Sequence, residues 1–346
     1  MAGRVRQFLT SVVCGLALLV SSALADEDSY APFDIDIKVE PFSDFEPRDP
    51  NRRDFGPLKF RFGAVLSSAT DHFGGLSGME MLDKGTRMLA ISDTGYWLVA
   101  DVLRDRRGRI TGFQNARMAA LYSGVGPRKV AAKYYSDAEG LALLGDDVFV
   151  SFESINVVAR YRADLETLRM EPTVIDLPGE MATIDHNQGM EALVALPGES
   201  SLNGQLLTIT ERGESRLGPA FGWVLKADGE NADTAKFFVE RDGLYDVTDA
   251  ALLADGDLLT LERKFTLGSG IGMRLRRLSS RAMTPGARVE GETLFEAGVA
   301  HRIDNMEALS VYKNERGDTV VAVLSDDNHS LLQRTILLEF VLKDQQ

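Results

Sequence analysis

The chain has 346 residues, 26% charged and 44% hydrophobic, with a formal net charge of −14. An acidic surface of that size argues against binding nucleic acid or anionic membranes, because the phosphate backbone attracts basic patches. The single cysteine, Cys14, lies inside an apolar N-terminal run. This excludes disulfides, thiolate metal sites and a cysteine nucleophile from the rest of the chain.

The first 25 residues have a basic start (Arg4, Arg6), an apolar run from 8 to 20 and the small-residue site Ala23-Leu24-Ala25. This is the layout of a secretory signal peptide, and cleavage is expected after Ala25. The run is shorter than the ~20 residues a membrane span needs. Arg4 and Arg6 leave with it, taking the formal charge from −14 to −16. The expected product is a secreted or periplasmic monomer with no membrane attachment.

Residues 26–56 are rich in Asp, Glu and Pro and read as an extended arm with at most one edge strand. From residue 57 to the end the text is that of a single domain. Residues 58–66 alternate and are aromatic, which suits a strand.

A repeat follows in five copies. Each opens with a short apolar strand entered at Ser77, Glu139, Glu191, Asp249 or Glu307. A polar turn and a second apolar strand come next, left at Asp93, Glu153, Glu211, Glu262 or Asp326. The entry positions are 62, 52, 58 and 58 residues apart. A period near 50 that holds about four short strands predicts an all-β fold, a β-propeller. Third and fourth strands are expected at 157–162 and 170–177, at 221–226 and 235–240, and at 272–278 and 290–295.

The fifth copy has room for three strands only, so residues 58–66 are expected to supply its outer strand and close the ring, which removes exposed sheet edges. Five blades are predicted, with six as the alternative if the arm builds part of another.

If the first strand of each copy is innermost, its start and the end of the second strand share one mouth of the central channel. Nine of the ten entry and exit residues are carboxylates, and hard oxygen ligands around one axis suit Ca²⁺ or another hard divalent cation. The structural alternative is that each acid accepts hydrogen bonds from backbone amides of the next blade.

Arg212, Arg263 and Lys264 follow exit acids and are candidates for holding an anionic substrate, or else salt-bridge partners. His72, His186, His301 and His329 fall near the same loops, and one of them could act as acid, base or ligand. Ser77 does not meet the Gly-x-Ser-x-Gly pattern of a nucleophile elbow.

Several motifs together resemble the esterase-like activity of phytase family, a phytase-like domain found in exported bacterial proteins. They are Phe73-Gly-Gly-Leu-Ser-Gly78 with Ser92-Asp-Thr-Gly95, Asp137-Ala-Glu-Gly-Leu141, Gln188-Gly-Met-Glu-Ala192, Leu261-Glu-Arg263, and Asp304-Asn-Met-Glu-Ala308 with Leu324-Ser-Asp-Asp-Asn328. The likeness covers about residues 57–342. It implies a propeller with phosphoester or ester hydrolase activity, and calcium at the channel mouth as in β-propeller phytases.

On this reading the metal set is Asp93, Glu139, Glu262, Asp326 and Asp327. The catalytic set is Glu191, Glu307 and His186, and the substrate-binding set is Arg212, Arg263 and Lys264. The expected partner is a small anionic ester or phosphoester. A non-catalytic periplasmic binding propeller and a lactonase-type ester hydrolase are the competing readings.

Overall fold

The computed structural model describes residues 31–126, 133–185, 188–198, 202, 205–231, 234, 236–268 and 270–343. The leader and His186 therefore lie outside the described residues.

Among the described residues four strands precede the first repeat: β1 (Phe33–Asp34), β2 (Lys38–Phe42), β3 (Asp54–Phe55) and β4 (Leu58–Ser67). Blade 1 is β5 (Leu76–Leu82), β6 (Arg87–Ser92), β7 (Tyr96–Arg104) and β8 (Ile110–Ala120), with β1 added outside β8. A single helical turn, α1 (Lys133–Ser136), leads into blade 2. This blade holds β9 (Ala138–Leu144), β10 (Asp147–Phe152), β11 (Val157–Arg162) and β12 (Pro172–Val174). Blade 3 is β13 (Met190–Ala195), β14 (Leu206–Thr210), β15 (Ala220–Leu225) and β16 (Lys236–Val239).

Blade 4 begins with β17 (Asp246–Leu252), β18 (Leu258–Thr266) and β19 (Gly270–Leu278). The chain then lends β20 (Arg288–Val289) to blade 3, parallel to β16, before β21 (Gly291–Gly298) completes blade 4. Blade 5 is β22 (Asn305–Lys313), β23 (Thr319–Asp326) and β24 (Thr335–Leu342), followed outward by β4 and then β2. The protein is thus a five-bladed β-propeller. Its ring is closed by β4, which pairs antiparallel with β24 from Leu58↔Leu342 to Leu66↔Thr335.

Five hydrophobic cores lie between successive blades. Because strand side chains alternate between faces, one middle strand feeds two of them: Val148 and Val150 of β10 pack toward blade 1, and Phe149 packs toward blade 3. In β23, Val320 and Ala322 join the core with blade 1, while Val321 and Val323 join the core with blade 4. Burial on both faces explains why these strands read as continuous apolar runs rather than as alternation.

The arm does more than the expected single edge strand. Phe33, Ile35, Ile37 and Val39 pack against the core between blades 5 and 1 while the charges between them point out. This lays β1 on blade 1 and β2 on blade 5. Beyond β2, Phe45 and Phe55 are fully buried in the core between blades 4 and 5, with ring centroids 5.1 Å apart. The aromatic residues outweigh the proline and charge density that suggested a loose segment.

Candidate functional site

The inner strands β5, β9, β13, β17 and β22 each carry a bulge near their first residues, and this irregularity aims the chemistry. In blade 3, Met190 pairs with Thr210 and Ala192 with Ile209, which leaves Glu191 as the extra residue. Ser77 in blade 1 and Glu307 in blade 5 occupy the same position. Bulges re-aim a side chain and are common beside functional sites. Hydroxyls near the bulges also tie the blades together: Ser77 Oγ donates to Ala138 O at 2.6 Å, Ser151 Oγ to Met190 O at 2.8 Å, and Thr248 Oγ1 to Met306 O at 3.1 Å.

The fourth blade departs from the expected register by one residue. Val247 pairs with Glu262 and Asp249 with Leu261, so the bulge residue is Thr248, and the counterpart of Asp93, Glu153, Glu211 and Asp326 is Arg263. A shift of one residue turns a side chain to the opposite face. Asp249 accordingly accepts backbone N–H groups from Ala250 at 2.7 Å and Leu309 at 2.6 Å. Glu262 accepts from Arg274 Nε at 2.8 Å and Arg276 Nε at 2.6 Å, away from the mouth. Lys264 extends over the Tyr245 ring, 4.3 Å from its centroid. Glu262 and Lys264 are therefore not brought together with the other predicted site residues, and Asp249 serves the backbone.

The remaining acids converge. Carboxylate oxygens of Asp137, Glu139 and Glu153 lie within 4.8 Å of one another, and so do those of Glu153, Glu191 and Glu211. Glu153 belongs to both triads, and its Oε1 also accepts from Gly189 N at 3.0 Å. Arg263 reaches in from the fourth blade, with Nε 3.3 Å from Glu307 Oε1, Nη2 3.6 Å from Glu211 Oε1, and Nη1 donating to Asn305 Oδ1 at 2.8 Å. Arg212 stands 2.7 Å from Glu211 and 3.3 Å from Asp246.

On the far side of the mouth Asp93 and Asp326 are both buried. Asp327 secures the exit loop instead, accepting from Gly75 N at 3.1 Å, His329 N at 3.0 Å and Thr335 Oγ1 at 3.0 Å.

Crowding sets the electrostatics. Burial, reinforced by the charges of neighbouring acids, pushes Glu139 and Glu191 well above the usual carboxylate range. Burial likewise raises Glu153 to about 7 despite the Gly189 hydrogen bond, with Asp137 and Glu211 adding to the rise. Glu307 goes up to about 8, burial outweighing the attraction of Arg263. Asp326 goes up to about 7, through burial and then the charge of Asp93. Burial opposes the charge of Arg263, yet Glu307, Glu191, Glu211 and Glu139 together raise its pKa and hold it protonated. Like charges gathered in this way favour protonation unless a cation joins them.

The donor set fits a hard cation. Both triads offer carboxylate oxygens alone, the ligand type that Ca²⁺ and Mg²⁺ take. Asp137, Glu153 and Glu211 complete these triads, although only their partners Glu139 and Glu191 stand in the predicted site sets. The sequence signal for all three was the same repeat, in which Asp137 stands two residues before Glu139, and Glu153 and Glu211 end second strands.

Comparison with known proteins follows from the fold and the sequence. A PQQ-bound aldose sugar dehydrogenase from Streptomyces coelicolor superposes with a TM-score of 0.45 at 13% identity, covering 83% of this chain and 99% of the other. An endo-arabinase from Bacteroides thetaiotaomicron gives 0.49 at 13%, covering 80% and 97%. A Myxococcus xanthus glutaminyl cyclase gives 0.43 at 9%, covering 83% and 97%. No curated protein matches the sequence. The model of one family does match, over residues 71–329, a span that holds all five inner strands and every acid of the mouth. The chain therefore belongs to the Phytase-like family, described as "Esterase-like activity of phytase".

Proposed function

We propose that this protein is an exported, metal-assisted hydrolase of phosphoesters or related esters, working at the acidic mouth of the propeller. The observation that carries the reading is the pair of carboxylate triads sharing Glu153, with the Arg263 guanidinium beside them. A Ca²⁺ or similar ion held by Glu139, Glu153, Glu191 and Glu211 would polarise the ester oxygen and acidify a bound water.

The protein's own groups do the rest. Arg263 and Arg212 present N–H donors to an anionic ester and offset its charge, a task for which a planar guanidinium is suited. The acids around Arg263 keep it charged at any working pH. Burial favours the protonated form of Glu307, which stands 3.3 Å from Arg263 and would be the group to donate a proton to a departing alkoxide. Glu191 acts through the acidic cluster, with Glu153 and Glu211.

The test is calorimetric titration with Ca²⁺, followed by turnover of a panel of phosphate esters and lactones. Ca²⁺-dependent hydrolysis of a phosphomonoester that falls at least a hundredfold in Glu191→Gln and Glu307→Gln supports the reading. If the purified protein neither binds a divalent cation nor turns over any ester, the hydrolase reading fails and a non-catalytic binding propeller replaces it.

A further inference from the structure

On the face opposite the acidic mouth, one groove is lined mainly by basic residues. Inner strands start at the mouth and run away from it, so the β5–β6, β7–β8 and β22–β23 turns all reach the far face. Between blades 5 and 1 these turns border a groove of about 1250 Å³. The β7–β8 turn, Arg104-Asp-Arg-Arg-Gly-Arg109, contributes four arginines to it. The closing strand and the arm add Arg53, Lys59 and Arg61, and the other two turns add Lys84 and Arg316. Three acids, Asp105, Glu315 and Asp318, share the lining with these nine basic residues. Such an excess stands out in a chain of net charge −14.

Part of the positive charge is structural. Arg104 is bound to the buried Glu339 at 2.8 and 2.9 Å, and Arg109 pairs with Asp105 at 2.8 Å. Arg61 Nε also lies 3.9 Å from Glu339 Oε2, Lys84 pairs with Glu315 at 3.4 Å, and Arg53 and Arg316 donate to the backbone carbonyls of Ser43 and Arg106. Arg106 and Arg107 are exposed and pair with no acid among the described residues. Arg61 donates through Nη2 to Gly108 O, while its Nη1 is buried without a hydrogen-bond partner among the described residues. The turn is held in place, since Asp105 Oδ1 accepts from Arg107 N at 2.8 Å and Arg109 N at 2.9 Å. A fixed turn presents its guanidinium groups with little ordering cost on binding. The floor beneath them is apolar, formed by Phe60, Phe62 and Ile110.

We propose that this groove is a second ligand site, distinct from the acidic mouth. Its ligand would be a small soluble polyanion with two or more phosphate or carboxylate groups. Arg106, Arg107 and Lys59 would hold its anionic groups at the rim, with Arg61 adding positive charge from the base. Concavity favours a small ligand: the groove is a little larger than the roughly 300–1,000 Å³ of a typical small-molecule site, and a planar bilayer or a nucleic-acid duplex meets only the rim. Several guanidinium groups at fixed spacing favour a polyanion over a single phosphate.

The experiment titrates the purified, metal-free protein with tripolyphosphate by calorimetry at low and at physiological salt. Saturable binding that weakens with salt is expected, along with a loss of at least tenfold in R106E/R107E and in K59E. Binding should be unchanged in E191Q, which alters the opposite face, and in R162E/R169E, which makes the same charge change elsewhere. The proposal is overturned if R106E/R107E and K59E bind as the unaltered protein does, or if E191Q abolishes binding. It is also overturned if tripolyphosphate fails to bind while phosphatidylglycerol vesicles or an RNA oligonucleotide do.

Discussion

The residue that most constrains the mouth is Glu153, shared by both carboxylate triads and held by the N–H of Gly189. A side chain at position 189 would put its Cβ 2.3 Å from Glu153 Cγ, so only glycine lets the carboxylate sit there. Gly189→Ala is expected to displace Glu153 and to lower Ca²⁺ affinity at least tenfold while the fold persists. Calorimetry beside a circular dichroism melt checks both halves.

Glu80 is a different kind of acid. It lies on β5, accepts from Ser310 Oγ at 2.8 Å, and is raised to about 7 by burial, the hydrogen bond opposing the rise. Between its unfolded value near 4.5 and about 7, the folded chain binds more protons here than the unfolded chain does. Stability therefore falls as pH rises through that window. Glu80→Gln, which cannot ionise, is expected to raise Tm at pH 8 relative to the unaltered protein and to leave it nearly unchanged at pH 4.5. Paired melts at the two pH values decide the point.

Among the elements, the pairing of β17 with β18 is the most informative. Its register withdraws Glu262 from the mouth and installs Arg263 there. Glu262 and Arg274 are both about 1% exposed, and removing one partner of a buried ion pair typically costs 3–5 kcal/mol (about that range here). Glu262→Ala is accordingly expected to lower stability by roughly 3–5 kcal/mol in denaturant titration, while any Ca²⁺ affinity of the folded protein persists. Glu191→Gln should do the opposite, sparing stability and removing cation binding. The contrast separates two acids that look alike in the repeat.

At the scale of the whole molecule, the ring is joined in blade 5, where β22–β24 of the C-terminal end meet β4 and β2 of the N-terminal end. The arm strengthens the joint from outside, through Phe45 and Phe55 in the core between blades 4 and 5. Truncating a buried phenylalanine typically costs about 3–5 kcal/mol. Phe45→Ala is expected to lose an amount in that range by denaturant titration. A chain lacking residues 26–56 should melt earlier still, because β1 and β2 go with it.

The repeat made most of this architecture legible in the sequence. Five copies of an apolar strand, a polar turn and another apolar strand imposed five sheets, and the missing strand of the last copy implied closure by residues 58–66. The spacing of acids at strand ends likewise located the mouth, because a strand end in a closed ring has few places to be. Tertiary structure alone decided how those acids divide their work. A bulge shifts register by one residue, which turns a side chain to the other face, and one-dimensional spacing does not record on which residue it falls. Hence Glu191 and Glu307 face the mouth, Glu262 faces Arg274, and Arg263 stands where an acid was expected. The basic groove is tertiary for a related reason. Its arginines come from segments more than 200 residues apart, and only the closing of the ring puts Arg61 and Arg107 beside Arg316.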